Sequence, residues 1–148
     1  MANKIAILNG PNLNLLGNRE GDIYGSIGLA EIEAACADEC ERFGFELEFF
    51  QTNSEGDLVT LIQDAGAVCA GLIINPAAYT HTSVAIHDAI RAINIPVIEV
   101  HLSNIFARES FRHHSYVSPV ATGTICGLGP TGYILAIGAL ATQIPEEQ

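Results

Sequence analysis

Five short runs of aliphatic and β-branched residues, each followed by a stretch with helical spacing, restrict this chain to a narrow set of folds. Lys4 to Leu8, Phe45 to Phe50, Gly71 to Ile74, Val97 to Val100 and a weaker run near Thr122 to Cys126 read as strands. Their apolar residues do not keep to one face, as expected of strands covered on both sides. Strands of that kind, alternating with helices, build a parallel sheet between two helical layers. The expected fold class is therefore α/β, a flavodoxin-like doubly wound five-stranded parallel sheet with helices on both faces.

The first helix is expected near Leu29 to Phe43, with Ile32, Ala35, Cys36 and Cys40 on one face, acidic residues on the other and Gly44 to stop it. Ser54-Glu-Gly-Asp57 has the form of a capping box and opens a second helix, expected to run to Ala65 and end at Gly66. Thr82 or Ser83 starts a third, carrying Val84, Ile86, Ala89, Ile90 and Ile93 until Asn94-Ile-Pro96 breaks it. Gly129-Pro130 precedes the last.

No linker, repeat or shift in composition divides the 148 residues, so residues 1–148 read as a single domain. A net charge of −11 repels nucleic acid and anionic membranes, and neither is an expected partner. The positive mean hydropathy favours a homo-oligomer. The first residues carry no leader pattern, and the apolar run from Tyr133 to Ile144 is too short to span a bilayer; a cytoplasmic location is expected. Cys36, Cys40, Cys69 and Cys126 lack metal-ligand spacing and read as buried thiols, while His113 and His114 diverge on any regular backbone, so no metal is expected.

In such a sheet the carboxyl ends of the strands carry the ligand, and the polar residues of this chain gather there. The connection after the first strand, Asn9 to Gly25, is long and holds Asn12, Asn14, Arg19 and Tyr24. The third strand runs into Ile74-Asn-Pro-Ala-Ala-Tyr-Thr-His-Thr-Ser83, which offers Asn75 and His81 as partners for hydroxyl groups. The fourth ends Glu99-Val-His-Leu-Ser-Asn104, where alternation sends Glu99 and His101 to one face and the Leu102 and Ser103 amides suit a carboxylate. Taken singly, the first two of these stretches read more simply as loop and turn chemistry, and the last is equally a helix cap with a histidine satisfied by Glu99. Arg108 and Arg112 follow at i, i+4 spacing; with Arg19, three of the five arginines of an acidic chain belong to these edge segments, which points to an anionic substrate.

Four long stretches resemble the type II 3-dehydroquinate dehydratase family in order and spacing across nearly the whole chain. They are Gly10-Pro-Asn-Leu-Asn-Leu-Leu-Gly with Arg19 and Tyr24, Phe50-Gln-Thr-Asn-Ser-Glu-Gly56, Ile74 to Ser83, and Glu99-Val-His-Leu-Ser-Asn-Ile-Phe-Ala-Arg108. The resemblance implies a cofactor-free hydro-lyase. Tyr24, as tyrosinate, would remove a proton from the carbon next to the ketone of 3-dehydroquinate, and His101 would protonate the departing hydroxyl of the enolate. Asn12 would hold a water against the enolate oxygen. Asn75, His81 and Arg112 would bind substrate hydroxyls, and Leu102 and Ser103 the carboxylate. Tyrosine ionises near 10, so work at neutral pH needs about 4 kcal/mol of differential stabilisation, for which Arg19 and Arg108 are the available cations. Asp88 would reach a neighbouring subunit's site in a dodecamer built from trimers. Gly21 and Phe106 depart from the commoner family pattern, where proline and histidine are frequent, and neither removes a proposed catalytic group.

Rival readings fit poorly. A signalling receiver needs an aspartate after the third strand and a late lysine, whereas Asn75 stands there and Lys4 is the chain's lone lysine. The loop after strand one is a poor phosphate cradle for a flavin, and no cysteine sits at a nucleophile elbow. Imine catalysis would have to use Lys4, at the far end of the first strand.

Overall fold

The computed structural model describes residues 3–17 and 27–145. Five strands form one sheet in the order β2-β1-β3-β4-β5: β1 Lys4–Asn9, β2 Glu46–Gln51, β3 Gly71–Asn75, β4 Val97–His101 and β5 Gly123–Cys126. All four pairings are parallel. Helices α1 Leu29–Arg42, α2 Glu55–Val68, α3 Val84–Ala92 and α4 Thr131–Gln143 cover it. No helix among the described residues is long and apolar enough to cross a membrane.

Strand alternation sorts the core into two layers. Ile5, Ile7, Ile73, Ile98 and Val100 face α1 and α4, meeting Ile32, Cys36, Cys40, Ala136, Ile137 and Leu140. Ala6, Leu8, Leu72, Ile74 and Val97 face α2 and α3, meeting Leu58, Ile62, Ala65, Ile86 and Ile90. Because both faces are buried in this way, β1 beyond Lys4 and all of β3 carry no polar residue until they end at Asn9 and Asn75.

The boundaries follow local chemistry. Ser54 Oγ accepts from the Asp57 amide at 3.1 Å, and Ser83, rather than Thr82, caps α3 by accepting from the Ile86 amide at 2.9 Å. Four expectations need correction. Cys126 is half-buried, unlike Cys36, Cys40 and Cys69. Helix α2 does not stop at Gly66 but continues to Val68, and a Cβ at Gly66 would lie 2.3 Å from Ile93 Cγ2; this glycine makes room for α3 and does not end a helix. Ala35 is exposed, because the inward stripe of α1 steps by four through Ile32, Cys36 and Cys40. Arg108 and Arg112 do not share a helix: Arg108 is extended between two separate 3-10 turns, Ile105–Ala107, capped by Asn104, and Ser110–Arg112. Short polar residues that bond their own backbone break this segment into turns.

The chain order reverses between β1 and β3, which opens a crevice at their carboxyl ends. There the two strand exits press together: the Gly10 amide donates to Asn75 O at 2.8 Å, and a Cβ on Gly10 would stand 2.4 Å from Pro76 O. That contact is with backbone and leaves nothing flexible to yield. Gly10→Ala is expected to destabilise the protein by about 1–3 kcal/mol, seen as a lower urea midpoint at unchanged slope.

Candidate active site

The crevice is a cavity of about 720 Å³. Asn12, Asn75, His81, His101, Leu102, Ser103, Arg108 and Arg112 all line it, so eight of the residues singled out from sequence converge from three separate chain segments. Among the described residues no acidic side chain lines it, although the chain carries a net charge of −11. Two arginines, two histidines and several amides make this a place for a small, oxygen-rich anion.

His101, at the end of β4, is 4% exposed. Its Nε2 lies 2.5 Å from Glu99 Oε2; a carboxylate only accepts, so Nε2 carries the hydrogen and Nδ1 is the ring's remaining proton-exchanging atom. Glu99 is itself 0% exposed and has no Lys or Arg partner among the described residues. Three hydroxyls share its charge instead: Ser118 Oγ at 2.5 Å from Oε1, Ser115 Oγ at 3.0 Å from Oε2 and Thr124 Oγ1 at 3.3 Å from Oε1. Burial pushes the Glu99 carboxyl up, but the hydrogen bonds from His101, Ser118 and Ser115 outweigh it and hold the group below its ordinary value.

A carboxyl whose pKa is lower folded than unfolded stabilises the fold above its unfolded pKa, and that contribution is lost as pH falls through the folded value. For Glu99 the window therefore lies below the ordinary 4.5. The urea midpoint of the parent is expected to drop on acidification through this window, and less so in Glu99→Gln, which has no proton to gain. Equal acid sensitivity of the two proteins would contradict the ionised assignment.

His81 follows the 3-10 turn after β3. Its Nδ1 donates to His114 O at 2.8 Å, which leaves Nε2 as the acceptor, and its ring stacks at 6.5 Å from that of His101. Burial lowers its pKa, which keeps the ring neutral at neutral pH. Asn12 and Ala77 both have left-handed backbone, φ 70° and 52°. Asn12 is anchored by its amide to Asn53 Oδ1 at 3.0 Å and Ala77 by its amide to Asn75 Oδ1 at 3.1 Å, so both loops are held by side chains at neighbouring strand exits. Gln51 Nε2 adds a bond to Gly10 O at 3.1 Å, which explains why the Phe50 to Gly56 stretch belongs with the site.

Arg112 pairs with Glu109 through Nε at 2.5 Å and lies over the Phe111 ring, while Arg108 is exposed at the cavity rim. Asp88 does not line the cavity; it is exposed on α3. Arg19 and Tyr24 lie outside the described residues. The lone lysine, Lys4, is at the amino end of β1, paired with Glu48 at 3.1 Å and remote from the crevice. Sequence reasoning missed Ser115, Ser118 and Thr124, which lie 16, 19 and 25 residues from Glu99 and share no spacing that a motif could reveal.

Fold and site together define a flavodoxin-like α/β enzyme with a buried histidine–glutamate pair at the carboxyl edge of its sheet. A sequence model of the class II dehydroquinases matches residues 3–141. The 3-dehydroquinate dehydratase of Brucella canis is 57% identical over 148 residues, covering 100% of this chain and 94% of that protein. The crystal structure of type II dehydroquinase from Propionibacterium acnes superposes with a TM-score of 0.91 at 46% identity, over 96% of this chain and 98% of that one. That from Butyrivibrio crossotus gives 0.90 at 45%, over 94% and 97%. The chain belongs to the class II dehydroquinase family, and it is a hydro-lyase.

Proposed function

We propose that this enzyme eliminates water from 3-dehydroquinate to give 3-dehydroshikimate through an enolate, without Schiff base, metal or cofactor. The observation that carries the reading is the His101–Glu99 pair beside a cavity that, among the described residues, is lined by two arginines and no acidic side chain. Tyr24, as phenolate, takes the proton from the carbon next to the ketone, and the electron pair moves onto the carbonyl oxygen. The enolate then re-forms the carbonyl and expels the hydroxyl, which leaves as water with the proton held at His101 Nδ1. Proton transfer from Tyr24 back to His101 resets the site, so one water is lost and nothing is oxidised.

Arg19 and Arg108 stabilise the tyrosinate. Asn12 holds a water against the enolate oxygen. Asn75, His81 and Arg112 bind substrate hydroxyls, and Leu102 and Ser103 the carboxylate. Glu99 orients His101 and balances its charge. The whole chain acts as one catalytic domain in the cytoplasm, serving the shikimate pathway or quinate breakdown. It works as a dodecamer of trimers; the exposure of Asp88, away from its own chain's cavity, suits a residue lent to a neighbouring site.

The test is to mix the assembled protein with 3-dehydroquinate, with and without borohydride treatment, and follow the ultraviolet absorbance of the conjugated enone. Growth indifferent to borohydride is the expected result. Activity destroyed by borohydride would point to an imine, and no growth from a folded sample would leave a binding role.

A further inference from the structure

Tyr133 is a large, fully buried side chain with a polar end that the proposed chemistry leaves unused. It sits in the first turn of α4 at 0% exposure, in the same core layer as Ile5, Ile7 and Ile73. Its hydroxyl emerges at the carboxyl ends of β1 and β3, 2.6 Å from Asn9 Oδ1 and 2.9 Å from Asn75 Nδ2. Burial pushes the phenol well above its ordinary pKa, so it keeps its proton.

The direction of every bond in this chain follows from its ends. Phe50 O can only accept, so the end of Asn9 that faces it at 3.0 Å is Nδ2, and Oδ1 is turned to Tyr133. The single phenolic proton therefore goes to Asn9. At the other end the Ala77 amide can only donate, which fixes Asn75 Oδ1 against it at 3.1 Å and turns Nδ2 to the phenol. Asn75, 3% exposed and lining the cavity, is left with one N–H and one lone pair for a ligand.

We propose that Tyr133 is a positioning residue for substrate binding: by giving its proton to Asn9 and accepting from Asn75, it fixes which end of the Asn75 amide meets the substrate and holds the turn that carries His81. The identity of that substrate rests on the dehydratase reading above. Without the phenol, Nδ2 of Asn75 loses a buried acceptor and the amide is no longer tied to one orientation.

Tyr133→Phe keeps the ring and removes the hydroxyl. In the assembled enzyme kcat/KM for 3-dehydroquinate is expected to fall about tenfold, mainly through KM, with a cooperative thermal transition retained. In a double variant with Asn75→Ala the second substitution is expected to cost nothing further, because both act on one contact. A purely structural role predicts additive losses, and additivity, or a kcat/KM within about twofold of the parent, would overturn the proposal. Should Tyr133→Phe not fold, Asn9→Ala, which removes the acceptor of the phenolic proton, carries the same expectation of non-additivity and the same overturning result. A parent chain that fails to turn over 3-dehydroquinate would refute the substrate reading instead. The positioning claim is then read from a crystal structure of Tyr133→Phe, where an Asn75 side chain that has left Ala77 supports it and one still bonded there overturns it.

Discussion

His101→Gln is expected to lower kcat for 3-dehydroquinate about 10²- to 10⁴-fold, the usual contribution of a positioned acid, with KM changed far less. The substitution separates chemistry from packing. Glutamine offers an amide N–H to Glu99, so the buried carboxylate keeps a donor in addition to Ser115, Ser118 and Thr124, and the fold is not asked to carry a charge stripped of its partner. What glutamine lacks is a proton to lend at neutral pH, and without one the hydroxyl must leave as hydroxide. Alanine would confuse the two effects, because breaking the buried pair is itself expected to cost about 3–5 kcal/mol of stability. Steady-state kinetics together with a thermal melt check the prediction; a kcat within about fivefold of the parent lies below any general-acid contribution and would move the acid elsewhere, with His81 the next imidazole in the cavity.

Tyr24→Phe is expected to abolish measurable turnover, a loss of about 10²-fold or more, while leaving substrate affinity within a few-fold. A phenyl ring retains the shape of the side chain and nothing able to accept a proton. The loss falls on kcat because proton removal belongs to the transition state and not to binding. Stability should change little, since the substitution removes a single hydroxyl and keeps the ring. Retained turnover would remove the base assignment, and no other tyrosine lines the described cavity to inherit it.

The two losses should differ in kind, since one variant stops before the enolate and the other after it. That difference makes the division of labour between the two residues accessible to experiment even when neither variant makes product.

Much of this arrangement was legible in the sequence, for reasons that differ between elements. The sheet was readable because β1, β3 and β4 are buried on both faces, a demand that a run such as Ile-Ala-Ile-Leu meets. The convergence of Asn75, His81 and His101 followed once those strands were parallel, since parallel strands deliver their polar exits to one edge. Gly66 was misread as a stop because the need for it comes from Ile93, a contact outside any local pattern. The hydroxyls around Glu99 were invisible for the same reason: Thr124 reaches it across the β4–β5 pairing and Ser115 from a loop. Tyr133 read only as part of an apolar terminal helix, since nothing in the sequence tells that its hydroxyl meets Asn9 124 residues away. The long loop after the first strand drew attention to Arg19 and Tyr24, but the roles proposed for Tyr24 and Asp88 rest on the resemblance alone, because a base inside a loop and a contact between subunits would leave no periodic trace.

Deuterium incorporation into 3-dehydroquinate, followed by NMR in heavy water with the His101→Gln and Tyr24→Phe variants, tests the central claim most directly. If Tyr24 forms the enolate and His101 completes the elimination, the His101 variant exchanges the proton next to the ketone without releasing enone, and the Tyr24 variant does neither. Exchange that persists in Tyr24→Phe and is lost in His101→Gln would reverse the two roles and contradict the mechanism.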